Sequence, residues 1–198
     1  MDQIWTAYNA YDQKEYSGMF SHNLNARLEL RSLQITDANE LFALTDANRR
    51  YLRQWLPWLD KTTTVADTRN FIRNTLEQFG DSGAIVAAIC YDHRIVGVIG
   101  YNQIDWANAI GHIGYWLAKS NQGQGIMTLA CRYLVDYSFS TLALNRIVIK
   151  CATGNHRSRA IPARLGFNHE GTAREAEWLY DHFVDHEIYA MLARHWYG

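Results

Sequence analysis

The chain has 198 residues, enough for one domain with a sizeable core and short of two full ones. It is 48% apolar and 20% charged, and its 19 Lys and Arg against 20 Asp and Glu leave a net charge of −1. This excludes a disordered or fibrous chain and a general polyanion binder, and no apolar run approaches the roughly 18 residues of a membrane span.

Residues 1–18 (MDQIWTAYNAYDQKEYSG) are polar, tyrosine-rich and aperiodic. They read as an N-terminal extension without the basic and apolar regions of a signal peptide, ahead of a domain over 19–198. Arg27–Leu33 alternates as a strand. Thr36 and Asp37, with Glu40, carry capping chemistry for a helix presenting Leu41 and Leu44. A short helical piece over Arg49–Trp55 ends before Pro57. Thr64 or Asp67 starts a longer helix with Val65, Ile72, Leu76 and Phe79 at helical spacing, and Gly80–Gly83 ends it.

The period then changes. Ala84–Tyr91, a turn at Asp92-His93, Arg94–Tyr101, a connection over Asp105–Ala109, and Gly111–Ala118 form an antiparallel meander. The Asn121–Gly125 loop feeds an amphipathic helix with Ile126, Leu129, Ala130, Tyr133, Leu134 and Tyr137 on one stripe. Asn145–Cys151 is a buried strand, and Asn155–Leu165 is a helix stopped by Gly166. Phe167–Thr172 and Asp181–Leu192 close the chain as strands around a Trp-Tyr loop. The order predicts one mixed α/β domain. Cys90, Cys131 and Cys151 lie in apolar runs and read as buried thiols of a reducing, cytoplasmic chain.

The segment Asn121-Gln122-Gly123-Gln124-Gly125 carries the most chemistry. Glycines at alternate positions let the backbone turn sharply and expose its N–H groups, and the following helix N-terminus adds partial positive charge. The product is a phosphate or pyrophosphate site, or else a plain glycine turn before a helix. A P-loop would need a Gly-Lys-Ser/Thr that is absent. Thr128 stands where a dinucleotide fingerprint has its third glycine, and a meander precedes it rather than a βαβ unit. The pyrophosphate of coenzyme A is a third known use of such a loop, and the loop alone does not choose between it and the plain turn.

Five segments, in order, resemble the Gcn5-related N-acetyltransferase (GNAT) superfamily, most strongly its RimJ/RimL-like ribosomal-protein N-terminal acetyltransferase branch. They are LELRSL, WLPW at 55–58, IGYWLAKSNQGQGIMT at 113–128, NHRSRAIPARLGF at 155–167 and EGTAREAEWLYDHFVD at 170–185. The resemblance spans about Leu24 to Trp196. It implies an α/β (α+β) GNAT fold: a mixed, mostly antiparallel sheet of about seven strands, helices on both faces, and the family's strands 4 and 5 splayed around acetyl-CoA. It also implies cofactor contacts. The family loop corresponds to Ser120–Gly125, with Ser120 replacing the usual Gln or Arg. Main-chain N–H groups from Gln122, Gly123, Gln124, Gly125, Ile126 and Met127 would hold the pyrophosphate. Leu117, Ala118 and Asn155 would meet the pantetheine arm, Ser158 the thioester sulfur, and Arg159 the 3′-phosphate.

Acetyl transfer to an amine needs a neutral nucleophile, a polarised carbonyl and a stabilised leaving thiolate. An α-amine with pKa near 8 is far easier to deprotonate than a lysine near 10.4, so a modest base suffices for an N-terminus. Many GNAT enzymes place a tyrosine acid where this chain has Pro162. Ser158 is therefore the substitute donor to the sulfur, its structural alternative being a helix cap. Glu177 matches a glutamate that this branch sets beside the acceptor and is the candidate base, with Asp181 and Glu175 behind it; the alternative is a solvated carboxylate. His112 lies on the strand where other GNAT enzymes put a base, a role the resemblance does not support. Trp55, Pro57 and Trp58 form either a hydrophobic plug or one wall of an acceptor groove. Asn48 and Arg49 stand beside it, and Trp178 and Tyr180 form the opposite wall.

His182 and His186 have the spacing of helical metal ligands. On a strand that spacing sets them about 13 Å apart, and the chemistry needs no metal. Arg146, Lys150, Arg157, Arg159 and Arg164 form a basic set suited to CoA phosphates; no nucleic-acid reader motif accompanies it. The reading is an acetyl-CoA-dependent N-acetyltransferase acting by direct amine attack on a protein N-terminus. A small-molecule amine acceptor and a non-catalytic acyl-CoA-binding protein are its alternatives. The partners expected are acetyl-CoA and the acceptor, with no membrane, and the family is compatible with a homodimer.

Overall fold

Alternation in the strand segments sends neighbouring residues into two separate cores. Ala87 and Ile89 bury in one with helices behind them, while Ala88 and Cys90 bury in the other. The structure, a computed structural model, describes residues 20–82 and 84–197. The predicted extension over 1–18, and the Gly83 end of the predicted glycine stop, lie outside the described residues.

Among the described residues the sheet has eight strands: β1 (Ser21–Asn23), β2 (Leu28–Ser32), β3 (Val86–Tyr91), β4 (Arg94–Asp105), β5 (Ile110–Leu117), β6 (Arg146–Ala152), β7 (Asn168–Leu179) and β8 (His182–Leu192). Their order is β1-β2-β3-β4-β5-β6-β8-β7. Only β5 and β6 run parallel; the other neighbours are antiparallel. The count corrects the expectation of about seven. The added strand, β1, is three exposed residues, too short to show a period. The turn between β3 and β4 is read correctly: Asp92 and His93 take φ of 49° and 63°, as a two-residue hairpin requires.

The helices are α1 (Ala38–Ala47), α2 (Arg49–Leu52), α3 (Val65–Ser82), α4 (Ile126–Ser140) and α5 (His156–Arg164). Ala130 and Leu134 of α4, Ile161 of α5 and Leu165 just after it pack on Ile99, Ile113, Ile147 and Ile149 of one face. From α1 and α3, Leu41 and Ile72 pack on Ala88, Cys90 and Val98 of the other. All three cysteines are buried and free.

Three local expectations change. Asp37 stands at the N-cap of α1 but makes no side-chain cap bond to it; its carboxylate accepts Gln34 N–H at 2.7 Å, capping the turn that precedes the helix, and a bidentate Arg31 guanidinium at 2.7 and 2.9 Å. Glu40 instead accepts Ile95 N–H at 3.0 Å, tying α1 to β4. On α3 and α4, Leu76 and Leu129 are exposed, and Thr68, Thr75 and Cys131 bury. The expected Trp-Tyr loop is mostly strand, because β7 continues to Leu179 and the turn is Tyr180-Asp181.

Ile147 is fully buried at the sheet centre. Ile147→Val is expected to cost about 1 kcal/mol and to lower Tm by about 3 °C. A thermal melt indistinguishable from wild type contradicts this packing.

Candidate active site

The β5–β6 ladder is short. It pairs Ile110 through Ile113 with Arg146 through Ile149 and then stops, so Gly114–Leu117 and Lys150–Ala152 part. A cavity of about 790 Å³ occupies this opening, a size typical of small-molecule sites. Tyr115, Trp116 and Leu117 form its floor; Tyr51, Trp55 and Leu56 stand on one side, and Ser158, Ile161 and Arg164 of α5 on another.

The glycine loop forms the remaining wall. Gly123 and Gly125 take φ of 75° and 76°, in the left-handed region that favours glycine, and a Cβ on either would meet nothing within 4 Å. Gly125 is the N-cap of α4, and no side chain caps that helix. Its first intrahelical bond is Leu129 N–H to Gly125 O at 3.0 Å. The amides of Ile126, Met127 and Thr128 are thus left as donors at the cavity. Lys119, Arg157 and Arg164 line the same cavity and add positive charge to it. This cradle fits a pyrophosphate. The Gln122 side chain bridges it, donating to Tyr51 Oη at 2.5 Å and accepting from Arg157.

Three side chains meet where Tyr115 and Ser158 line the cavity, with Cys151 buried behind Ser158. Ser158 Oγ lies 3.2 Å from Cys151 Sγ and 3.4 Å from Tyr115 Oη, and Tyr115 Oη donates to Ser158 O at 3.1 Å. Burial pushes the Tyr115 phenol well above its usual range and the Cys151 thiol up as well. Both stay protonated at neutral pH, so Cys151 is not a thiolate nucleophile there. The cluster offers neutral hydrogen-bond donors.

Of the predicted cofactor residues, Leu117, Gln122, Gly123, Gly125, Ile126, Met127, Asn155 and Ser158 line the cavity. Ala118 is buried behind it with its N–H on Val96 O at 2.8 Å, and the Gln124 side chain turns back to Ser120 O at 3.3 Å. The Asn155 side-chain oxygen accepts Ser158 N–H at 3.2 Å as the cap of α5. Arg159 points away, to Tyr189 Oη at 3.3 Å and Thr153 O at 2.8 Å. Arg146 leaves the basic set too, in an ion pair with Glu170.

Of the predicted acceptor residues, Trp55 lines the cavity, its ring 3.7 Å from where a Cβ on Gly154 would stand. Trp58 sits behind, its ring 6.4 Å from that of Trp116. Asn48 is bound at both ends, its NH2 to Leu44 O and its oxygen to Lys119 N–H, each at 2.9 Å. Arg49 clamps Leu59 O at 2.6 Å and Thr62 O at 2.7 Å. Tyr180 ties the β7–β8 turn to this corner, donating to Leu56 O at 2.5 Å beneath the Arg53 guanidinium.

Glu177 sits on β7 with its Oε2 3.4 Å from His186 Nε2. Trp178, next along the strand, faces the reverse side, exposed and edge-on to Phe183 at 4.8 Å. Glu175 gives its N–H to Asp185, and Asp181 pairs with His182 at 2.7 Å. His112 is on the paired part of β5, outside the cavity lining, and burial, with Lys150 and Arg146 nearby, pushes its pKa down. Among the described residues, no three His, Cys, Asp or Glu side chains gather around one point for a metal ion.

Sequence reasoning did not find Tyr115, Tyr51 or Lys119. Tyr115 carried a signal: it lies two residues before Leu117 and so shares its face of β5.

The sequence model described as Acetyltransferase (GNAT) domain matches residues 27–168. The ribosomal-protein-serine acetyltransferase of Escherichia coli (strain K12) is 33% identical over 83% of this chain and 92% of its own length. RimL, a ribosomal L7/L12 α-N-protein acetyltransferase solved with coenzyme A, superposes with TM-score 0.84 at 30% identity, covering 87% of this chain and 98% of that one. The microcin C7 self-immunity acetyltransferase MccE, solved with acetyl-CoA and AMP, gives 0.82 at 32% identity, covering 85% and 94%.

Proposed function

We propose that this chain, which belongs to the acetyltransferase (GNAT) domain family and is an acetyl-CoA-dependent N-acetyltransferase, acetylates the N-terminal α-amine of a ribosomal protein in the cytoplasm. The observation that carries the reading is the cavity beside the parted strands β5 and β6, lined both by the anion cradle and by Ser158 and Tyr115, with Cys151 in contact with Ser158. The likeness to the serine acetyltransferase supports the acceptor class.

Acetyl-CoA supplies the acetyl group as a thioester. The main-chain amides of Gly123 through Thr128, with Lys119, Arg157 and Arg164, hold its phosphates. Ser158 Oγ–H hydrogen-bonds the sulfur and stabilises the charge that develops there. Tyr115 holds the Ser158 backbone and keeps water from that end. Glu177 removes one proton from the acceptor ammonium, directly or through a water. The amine's second proton leaves with the thiolate, so the products are the amide and the free thiol, with the first proton released to solvent.

Ser158→Ala is expected to lower kcat at least roughly tenfold, about 1.4 kcal/mol of barrier, with the KM for acetyl-CoA within about twofold. Unchanged kcat removes Ser158 from the reaction.

A second reading is a small-molecule amine acceptor, favoured by the likeness to MccE. CoA release is measured against peptides with free N-terminal Ser, Ala or Met, their N-blocked lysine counterparts, polyamines and aminoglycosides. Turnover of the free N-termini supports the protein acceptor; turnover of small amines alone selects the second reading.

A further inference from the structure

Residues 174–176 interrupt the pairing of β7 with β8. Ala173 stands opposite His186 and Glu177 opposite Val184, so β7 advances four residues where β8 advances two. Inside this bulge Glu175 takes φ of 49°, a conformation that costs a residue with a Cβ. The Asp185 carboxylate braces it, accepting Glu175 N–H at 2.7 Å. The Asp185 carbonyl accepts Thr153 N–H at 3.0 Å, which pins the bulge to the loop at the cavity's edge.

Alternation decides what the bulge aims. Cys151 faces α5, where its Sγ meets Ser158. Ala152 therefore faces the opposite side of the sheet, and so does His186, its cross-strand partner. Glu177 is on that side too, its carboxylate beside the His186 ring, with the two side chains 32% and 15% exposed. The pair stands next to the end of β6, where β5 has already parted from it. Neither side chain lines the cavity itself; the acceptor amine is taken to approach the Ser158 end from this side of the sheet. A strained, braced bulge beside a site is a device for redirecting one side chain.

We infer that His186 is a positioning residue for the acetyl transfer: the bulge delivers Glu177 to it, and its ring Nε2, 3.4 Å from Glu177 Oε2, orients that carboxylate so that Oε1 is free for the acceptor's proton. The inference rests on the reading of Glu177 as the base.

The test is steady-state kinetics of the full chain with the fastest acceptor of the peptide and amine panel, on His186→Phe, His186→Gln, Glu177→Gln and the His186→Phe/Glu177→Gln double variant. Thermal melts identify any variant that does not fold. His186→Phe is expected to lower kcat about tenfold, with the KM for acetyl-CoA within about twofold. His186→Gln keeps an N–H donor and restores most of the loss. In the Glu177→Gln background, His186→Phe costs nothing further. Wild-type kcat in His186→Phe, the same loss in both backgrounds, or a His186→Gln as impaired as His186→Phe each overturns the inference while leaving Glu177 in place. A fully active Glu177→Gln overturns both.

Discussion

Glu177→Gln lowers kcat by roughly tenfold at pH 7, the factor by which the ammonium outnumbers the neutral amine there, while the KM for acetyl-CoA stays within about twofold. The substitution is nearly isosteric and keeps a polar group beside His186, so packing of the β7–β8 hairpin is not in question. It removes the one property the reaction needs, a site able to take a proton from the acceptor. An α-ammonium has pKa near 8, so about a tenth of the acceptor is already neutral at pH 7, and the base has little to overcome. The loss is therefore expected to shrink as pH rises through that of the acceptor, since solvent then supplies the neutral amine. The kcat ratio of wild type to Glu177→Gln, measured from neutral to alkaline pH, checks this. A ratio near one at neutral pH removes Glu177 from the reaction.

Gly125→Val acts on the other substrate. Its effect is expected as a rise of about 100-fold in the KM for acetyl-CoA, with kcat at saturation changed only a few-fold. At φ of 76° a β-branched residue is strained, at a cost of about 1–3 kcal/mol. Relaxing that strain rotates the peptide that starts α4 and turns the amides of Ile126 and Met127 from the cradle. A hydrogen bond to a charged group contributes about 1.5–3 kcal/mol, so losing one or two accounts for the factor. Gly154→Ala is the control. No positive φ is found at Gly154, and its Cβ would make ordinary contact with Trp55 at 3.7 Å; acetyl-CoA kinetics close to wild type are expected. Equal effects from both substitutions contradict the cradle.

The parts of the fold that local pattern determines were legible. The β3–β4 hairpin follows from apolar runs on either side of the Asp92-His93 turn, and the loop before α4 from its two spaced glycines. The short β1 was not legible, because three polar residues become a strand only when β2 is there to pair with them. The end of β7 was misread because the bulge at 174–176 breaks the period of two just where Glu177 and Trp178 needed to be assigned to faces.

The site divides the same way. On α5, Arg157, Ile161 and Arg164 recur at helical spacing and line the cavity, whereas Arg159 falls off that stripe. The helical period alone distinguished them, but the resemblance favoured Arg159. Asn48 differs: its oxygen holds the Lys119 amide, a contact 71 residues away in the chain. No local pattern encodes it. The meeting of Tyr115, Cys151 and Ser158 joins β5 to β6 and α5, across the whole of α4 in the chain, and no local pattern encodes it.

The most direct measurement uses one peptide with a free N-terminal serine and an internal lysine, incubated with acetyl-CoA and the enzyme. Fragment-ion mass spectrometry locates the acetyl group, and CoA release is followed alongside. The account predicts acetylation at the α-nitrogen alone, with one CoA released per modified peptide. Acetyl on the lysine side chain, or CoA release with no modified peptide, contradicts it.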